Sequence, residues 1–171
     1  FHVAFTLYFA VSSSTEVCSL ITLSYLKTKH ALSRLLRYMT VIVAVPWLLA
    51  QFLAFSQLGD WAFGGLFGAS DAVVVQAKSA IFLLSLSAPI LLTRSICFGL
   101  ILMHQRTIFI TYATFIRLAS LAVSLVVLPR FLDGASIGAA ALVTCMALET
   151  VVAFIFARPL YRELPQGGGD G

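Results

Sequence analysis

The chain has 171 residues, of which 60% are hydrophobic and 11% charged, and its formal net charge is +4 at pH 7. A soluble globular domain carries about a quarter of its residues as Asp, Glu, Lys and Arg, so this chain lacks the charge to cover a water-facing surface. Its basic residues sit between and beside apolar runs, not in a stripe or block, which argues against nucleic acid as a partner and for membrane topology.

A transmembrane helix needs about 20 mostly apolar residues, because the hydrocarbon core is about 30 Å thick and each residue rises about 1.5 Å. The first stretch of that kind covers residues 3–26 and carries Ser12, Ser13, Ser14, Thr15 and Glu16 at its middle. The second covers residues 38–58, with Pro46 and Trp47 inside. A loop containing Gly59, Asp60, Gly64, Gly65 and Gly68 follows, where Trp61 and Phe63 suit an interfacial position. The third covers residues 73–103, long enough to tilt or to begin outside the hydrocarbon. The fourth covers residues 107–128 and stops at Pro129; Asp133-Gly134 marks a turn, and the fifth covers residues 135–157. The expected fold is all-α, a polytopic transmembrane bundle of about five helices over residues 1–164. Residues 165–171 form a Gly-rich tail expected to be disordered.

The connections alternate in charge. The first holds Lys27, Lys29, Arg34 and Arg37, the third holds His104 and Arg106, and the C-terminal end holds Arg158 and Arg162. The second has Asp60 and Asp71 with no Lys or Arg before Lys78, and the fourth has Arg130 beside Asp133. By the positive-inside rule the C-terminus faces the cytoplasm, in a plasma or inner membrane.

Four ionisable residues fall near the middle of the expected spans: Glu16, Arg94, Arg117 and Glu149. Arg117 lies about ten residues into the fourth stretch, roughly 15 Å deep. Each such charge costs about 2.5–3.5 kcal/mol on insertion scales, so these residues must face protein or a watered cavity. Arg94 is shallower and has some room to snorkel. One reading is structural: two Arg and two Glu form buried pairs that hold helices in register. The other is functional: the arginines line a path for an anion and a glutamate couples transport to protons, since low dielectric favours the protonated form of a carboxyl group. Ser12, Glu16 and Ser19 fall at i, i+4 and i+7, a polar stripe on the first helix. Serine also glues helices together in lipid, which is the plainer reading of the same spacing.

Pro89 lies five residues before Arg94 and cannot donate to the carbonyl of Ser85, so a kink is expected there and Pro89 is a candidate hinge. Pro46 has the same reading. The small residues of 134–141 suit close helix packing. Cys18, Cys97 and Cys145 lie in apolar runs without a CxxC pair and read as packing residues. No HExxH, GxSxG or P-loop pattern occurs, and His2, His30 and His104 are scattered, so neither catalytic residues nor a metal or other cofactor is expected.

The segment RLASLAVSLVVLP at residues 117–129, followed by DGASIG and Glu149, resembles the C-terminal part of the progressive ankylosis protein family. That family belongs to the multidrug/oligosaccharidyl-lipid/polysaccharide exporter superfamily of twelve-helix transporters. The resemblance continues upstream through TRSICFGLILMHQRT at residues 93–107 and Ser14-Thr15-Glu16. It places Arg94, Gly99, Arg117, Gly138, Glu149 and Glu16 on matching positions. It implies that these helices correspond to the last five of twelve, with the N-terminal half of the same transporter as the missing partner. It also implies export of a small anionic substrate such as pyrophosphate, nucleotide phosphate or citrate. Arg94 and Arg117 are then candidate substrate-binding residues, and Glu16 and Glu149 candidate coupling or ion-pair residues. Guanidinium suits that chemistry independently, since it stays charged and binds phosphate or carboxylate bidentately. The alternatives are a lipid-linked sugar flippase of the same superfamily and a non-transporting membrane scaffold; apart from substrate, the expected partners are membrane lipids.

Overall fold

The computed structural model describes residues 18, 20–22, 24, 29–66, 68 and 70–165. The expectations for Glu16, for the serine stripe and for the tail beyond residue 165 fall outside these residues. The long helices are α1 (Lys29–Phe55), α2 (Asp71–Ser85), α3 (Ser87–Met103), α4 (Ile108–Val127) and α5 (Ala135–Glu163). No strand occurs among the described residues.

Local chemistry fixes the ends. Extended Ser56 (φ −91°, ψ 161°) stops α1, and one further turn (Gln57–Asp60) leads into a π-helical turn (Trp61–Leu66). Asp71 occupies the first turn of α2, where a carboxylate suits the positive end of the helix dipole. A 3₁₀ turn (Leu128–Arg130) ends α4, and Gly134 at φ +63° starts α5. A Cβ at Gly134 would meet only the amide end of the flexible Gln76 side chain, which can move aside, so the backbone is what calls for glycine.

The helix break falls at Leu86, between α2 and α3. Pro89 has no N–H for the Ser85 carbonyl, and its ring crowds that same carbonyl one turn back. The chain responds with an i→i−3 bond, Leu86 N–H to Leu83 O at 3.2 Å. Ser85 Oγ donates to Phe82 O at 2.7 Å, and Ser87 Oγ donates to Leu84 O. Gln51 of α1 donates to Ser85 Oγ at 2.7 Å, tying a second helix to the break. Helix α1 runs without interruption through residue 46.

Helix α5 packs on α2, α3 and α4 and is the centre of the bundle. Two cores form along it. One, toward the basic end, joins Leu32 and Met39 of α1 to Ile96, Leu100 and Ile101 of α3 and to Ala153, Ala157 and Leu160 of α5. The other joins Ala54, Phe63, Val74, Ala77, Ile81 and Ala139 at the far end. His104 lies 3.9 Å from Glu163 at the basic end, and Lys78 pairs with Asp60 at 2.9 Å at the other. The charged connections therefore segregate by end, as the alternation in the sequence requires.

Four helical segments are long and apolar enough to cross a membrane: Leu32–Phe55, Asp71–Met103, Ile108–Arg130 and Ser136–Glu163. Only 6% of the most apolar stretch of Ile108–Arg130 is buried, and Phe115, Val123 and Val126 are exposed on it. Apolar area on that scale is stable against hydrocarbon and not against water. The chain is a transmembrane helix bundle.

The sequence-based boundaries shift at three places. Helix α1 begins nine residues before position 38 and takes in Arg34 and Arg37, because Lys and Arg are good helix formers that place their charge at the interface. Helix α5 continues past Ala157, through Pro159, to Glu163. The expected loop after residue 58 is largely helical, and Phe63 is 2% exposed in the far-end core while Trp61 is 64% exposed. Two residues apart on a helical backbone point to nearly opposite faces, so only Trp61 is left to face outward.

Candidate functional site

Glu149 lies at the midpoint of α5, between the two cores, and is fully buried. Its neighbours on the helix explain the position. Met146 packs against the far-end core and Ala153 belongs to the basic-end core; Glu149 occupies the seam. The same level holds Arg94, at the middle of α3, and Arg117, at the middle of α4. Three residues far apart in sequence are thus brought together by the packing of α3 and α4 on α5.

Arg94 is the nearer partner. Its Nε lies 2.8 Å from Glu149 Oε2, and its Nη2 donates to Oε1 at 3.4 Å. The guanidinium also sits 4.7 Å from the ring centroid of Phe98, one turn further along α3 and so on the same face. Arg94 does not snorkel; Glu149 and Phe98 hold it inward. Arg117 Nη1 approaches Oε2 to 3.6 Å, a charge contact too long for a hydrogen bond. Thr150, next to Glu149, donates to Met146 O at 2.7 Å and reaches Ile90 O at 3.4 Å. Ile90 and Arg94 are one turn apart, so α3 meets α5 through two adjacent polar contacts.

The short Nε–Oε2 approach is an ion pair without hydrogen-bond alignment, and both atoms are buried with no hydrogen bond. A buried polar group left so costs about 1–3 kcal/mol, and a charged one more. An optimal staple would use the bidentate fork of an arginine on the carboxylate; here Arg94 makes one weak hydrogen bond and Arg117 makes none. Two guanidinium groups face one carboxylate, leaving one positive charge in excess at mid-depth among the described residues. Both arginines share Glu149; the second carboxylate of the expected pairing, Glu16, lies outside the described residues. Side-chain exposures of 18% for Arg94 and 33% for Arg117 show that the second arginine is the more accessible.

Pro89 is exposed on the first turn of α3 and three residues beyond the break. Gly99 is buried and Gly138 half-buried. The three cysteines are buried and form no disulfide among the described residues. Among the described residues no three His, Cys, Asp or Glu side chains gather as a metal site requires. Three polar contacts escaped the sequence reading: Phe98 under Arg94, Thr150 beside Glu149, and Gln51 on Ser85. Two had a signal available, the first in its i+4 spacing and the last in a lone amide inside an apolar span. Comparison with known proteins gives no matching family model, no matching curated protein and no matching solved structure.

Proposed function

We propose that this chain is part of a membrane transporter that exports a small polyanion by alternating access, with Arg94 and Arg117 as its anion-binding side chains. The observation that carries the reading is that, among the described residues, two guanidinium groups at mid-depth share one poorly hydrogen-bonded carboxylate. Such a site attracts an anion that completes the donors Glu149 leaves unused. In this reading phosphate or carboxylate oxygens compete with Glu149 for Arg117 first and Arg94 second. Protonation of Glu149 would release both arginines, which is how a buried carboxyl group couples proton and anion movement. The break at Leu86 supplies a place for α3 to pivot relative to α2. The resemblance to the progressive ankylosis protein family points to pyrophosphate, nucleotide phosphate or citrate as the substrate class. On this reading an N-terminal half of the same transporter completes the path, and the C-terminus faces the cytoplasm.

Efflux of labelled pyrophosphate or citrate from cells producing the whole transporter tests this reading. Arg117→Gln and Arg94→Gln are expected to abolish export while the protein still inserts. Competition by lipid-linked sugar in place of these anions would favour the flippase. The scaffold reading draws on one specific observation, the complete burial of Glu149 among three helices. It predicts that Arg94→Gln with Glu149→Gln leaves any export at the wild-type rate.

A further inference from the structure

The turn at Leu86 is gripped from two sides. On one side α1 holds the last turn of α2: Gln51 Nε2 donates to Ser85 Oγ at 2.7 Å, and the Phe55 ring meets Phe82 edge-on with centroids 5.4 Å apart. Gln51 and Phe55 lie one turn apart and so share a face of α1. Ala50 and Ala54 of α1 also pack with Ala77, Ile81 and Leu84 of α2 in the far-end core. On the other side, Thr150 of α5 reaches Ile90 O at 3.4 Å in the first turn of α3, and α3 packs chiefly on α5. A shift of α1 against α5 is therefore taken up at Leu86.

The hydrogen bonds at this turn form a chain with a direction. A continuous helix places Leu86 N–H on Phe82 O; here it meets Leu83 O at 3.2 Å. Ser85 Oγ donates to Phe82 O at 2.7 Å, filling the acceptor that Leu86 leaves. That commits the one proton of the hydroxyl, so Gln51 can meet Ser85 Oγ only as a donor. We propose that Gln51 is the latch of a two-state hinge at Leu86. In the broken state, the one in this structure, Gln51, Ser85 and Phe82 are linked in series. In the continuous state Leu86 N–H returns to Phe82 O, the tightened turn relaxes, and Ser85 moves out of reach of Gln51. An amide stranded in an apolar span is costly, so Gln51 favours the broken state. Pro89 favours it too, by crowding the Ser85 carbonyl. The proline is fixed in the covalent chain, whereas the Gln51 link makes and breaks with the position of α1, so α1 sets the state of the hinge. The device does not depend on transport.

The test uses the full chain in lipid nanodiscs, with Cys18, Cys97 and Cys145 replaced and spin labels on Tyr38→Cys and Gln105→Cys. Both positions are exposed, one on α1 and one just beyond α3. Electron spin distance measurements should show two separations, the minor one belonging to the continuous state. Gln51→Leu should raise the minor population relative to the major one about fivefold, the scale of one net hydrogen bond. Ser85→Ala should raise it at least as much, and adding Gln51→Leu to Ser85→Ala should raise it no further, because both cut one chain. Pro89→Ala should raise the same population with Gln51 intact. A distribution unchanged by Gln51→Leu, in a variant shown folded by circular dichroism, would overturn the latch. A further fivefold rise in the double variant would overturn the serial link. An unchanged distribution in Pro89→Ala would overturn the two-state hinge itself.

Discussion

Glu149→Gln removes the charge shared by two arginines and keeps the side-chain volume, so its cost reports electrostatics and not packing. Breaking a buried pair from one side costs about 3–5 kcal/mol, because the remaining charge is stranded. Here two cations are stranded, and Arg94 is only 18% exposed, so the upper part of that range is expected. The single arginine variants should cost less, since each leaves Glu149 one partner. Coulomb energy falls as 1/r, so contacts of 2.8 and 3.6 Å make the Arg94 attraction stronger by roughly a quarter at equal dielectric. Arg117 makes no hydrogen bond to Glu149, which places the loss in Arg117→Gln below that in Arg94→Gln. The expected order of destabilisation is Glu149→Gln, then Arg94→Gln, then Arg117→Gln. Arg94→Gln added to Glu149→Gln should recover stability, because one stranded charge disappears. Chemical unfolding in detergent, followed by circular dichroism, measures all four. An Arg117→Gln loss equal to that of Glu149→Gln, or a double variant no more stable than Glu149→Gln alone, would refute the shared-carboxylate account.

Gly134→Ala should destabilise by about 1–3 kcal/mol, since φ is +63°; thermal unfolding in detergent checks it, and a neutral result would refute the backbone argument. In a background without Cys18, Cys97 and Cys145, an impermeant thiol reagent added outside should label a cysteine at Gly65 and miss one at Thr28. The reverse pattern overturns the proposed orientation. The chain reconstituted alone in liposomes should take up no labelled pyrophosphate above empty vesicles, because the family reading places the path between two halves; uptake above that control sinks the reading.

The spans were legible in the sequence because hydropathy over about 20 residues is a strong signal in a medium that forbids unpaired backbone. Their ends were less so. Arg34 and Arg37 look like loop charges in a linear string, yet their aliphatic stems let α1 begin beneath them. Arg94, Arg117 and Glu149 stood out by cost alone, since each is a charge in an apolar run. Their partnership was not legible: 55 residues separate Arg94 from Glu149, and only the packing of α3 and α4 about α5 brings them to one level. The break at Leu86 illustrates a subtler limit. Proline marks the residue that lacks the donor, but the carbonyl it crowds is one turn back, and two serines and Gln51 decide where the chain yields.

The shared carboxylate bears directly on whether these charges staple or switch. A staple gains from complete pairing, because any unmet hydrogen bond in low dielectric is a standing loss. Glu149 Oε2 and Arg94 Nε carry such a loss although each lies 2.8 Å from the other. A switch needs the opposite, two arrangements of nearly equal energy, so that a proton or an anion can tip the balance. One carboxylate between two guanidinium groups supplies that condition, because moving toward Arg117 costs it the Arg94 contact and gains a comparable one. Glu16 decides between the two cases. If it neutralises Arg117, Glu16→Gln should destabilise the bundle as a broken buried pair does, by about 3–5 kcal/mol. If an anion from solution fills that role, Glu16→Gln should leave stability nearly unchanged in pyrophosphate, and the unfolding temperature should rise with pyrophosphate concentration in the wild type and not in Arg117→Gln.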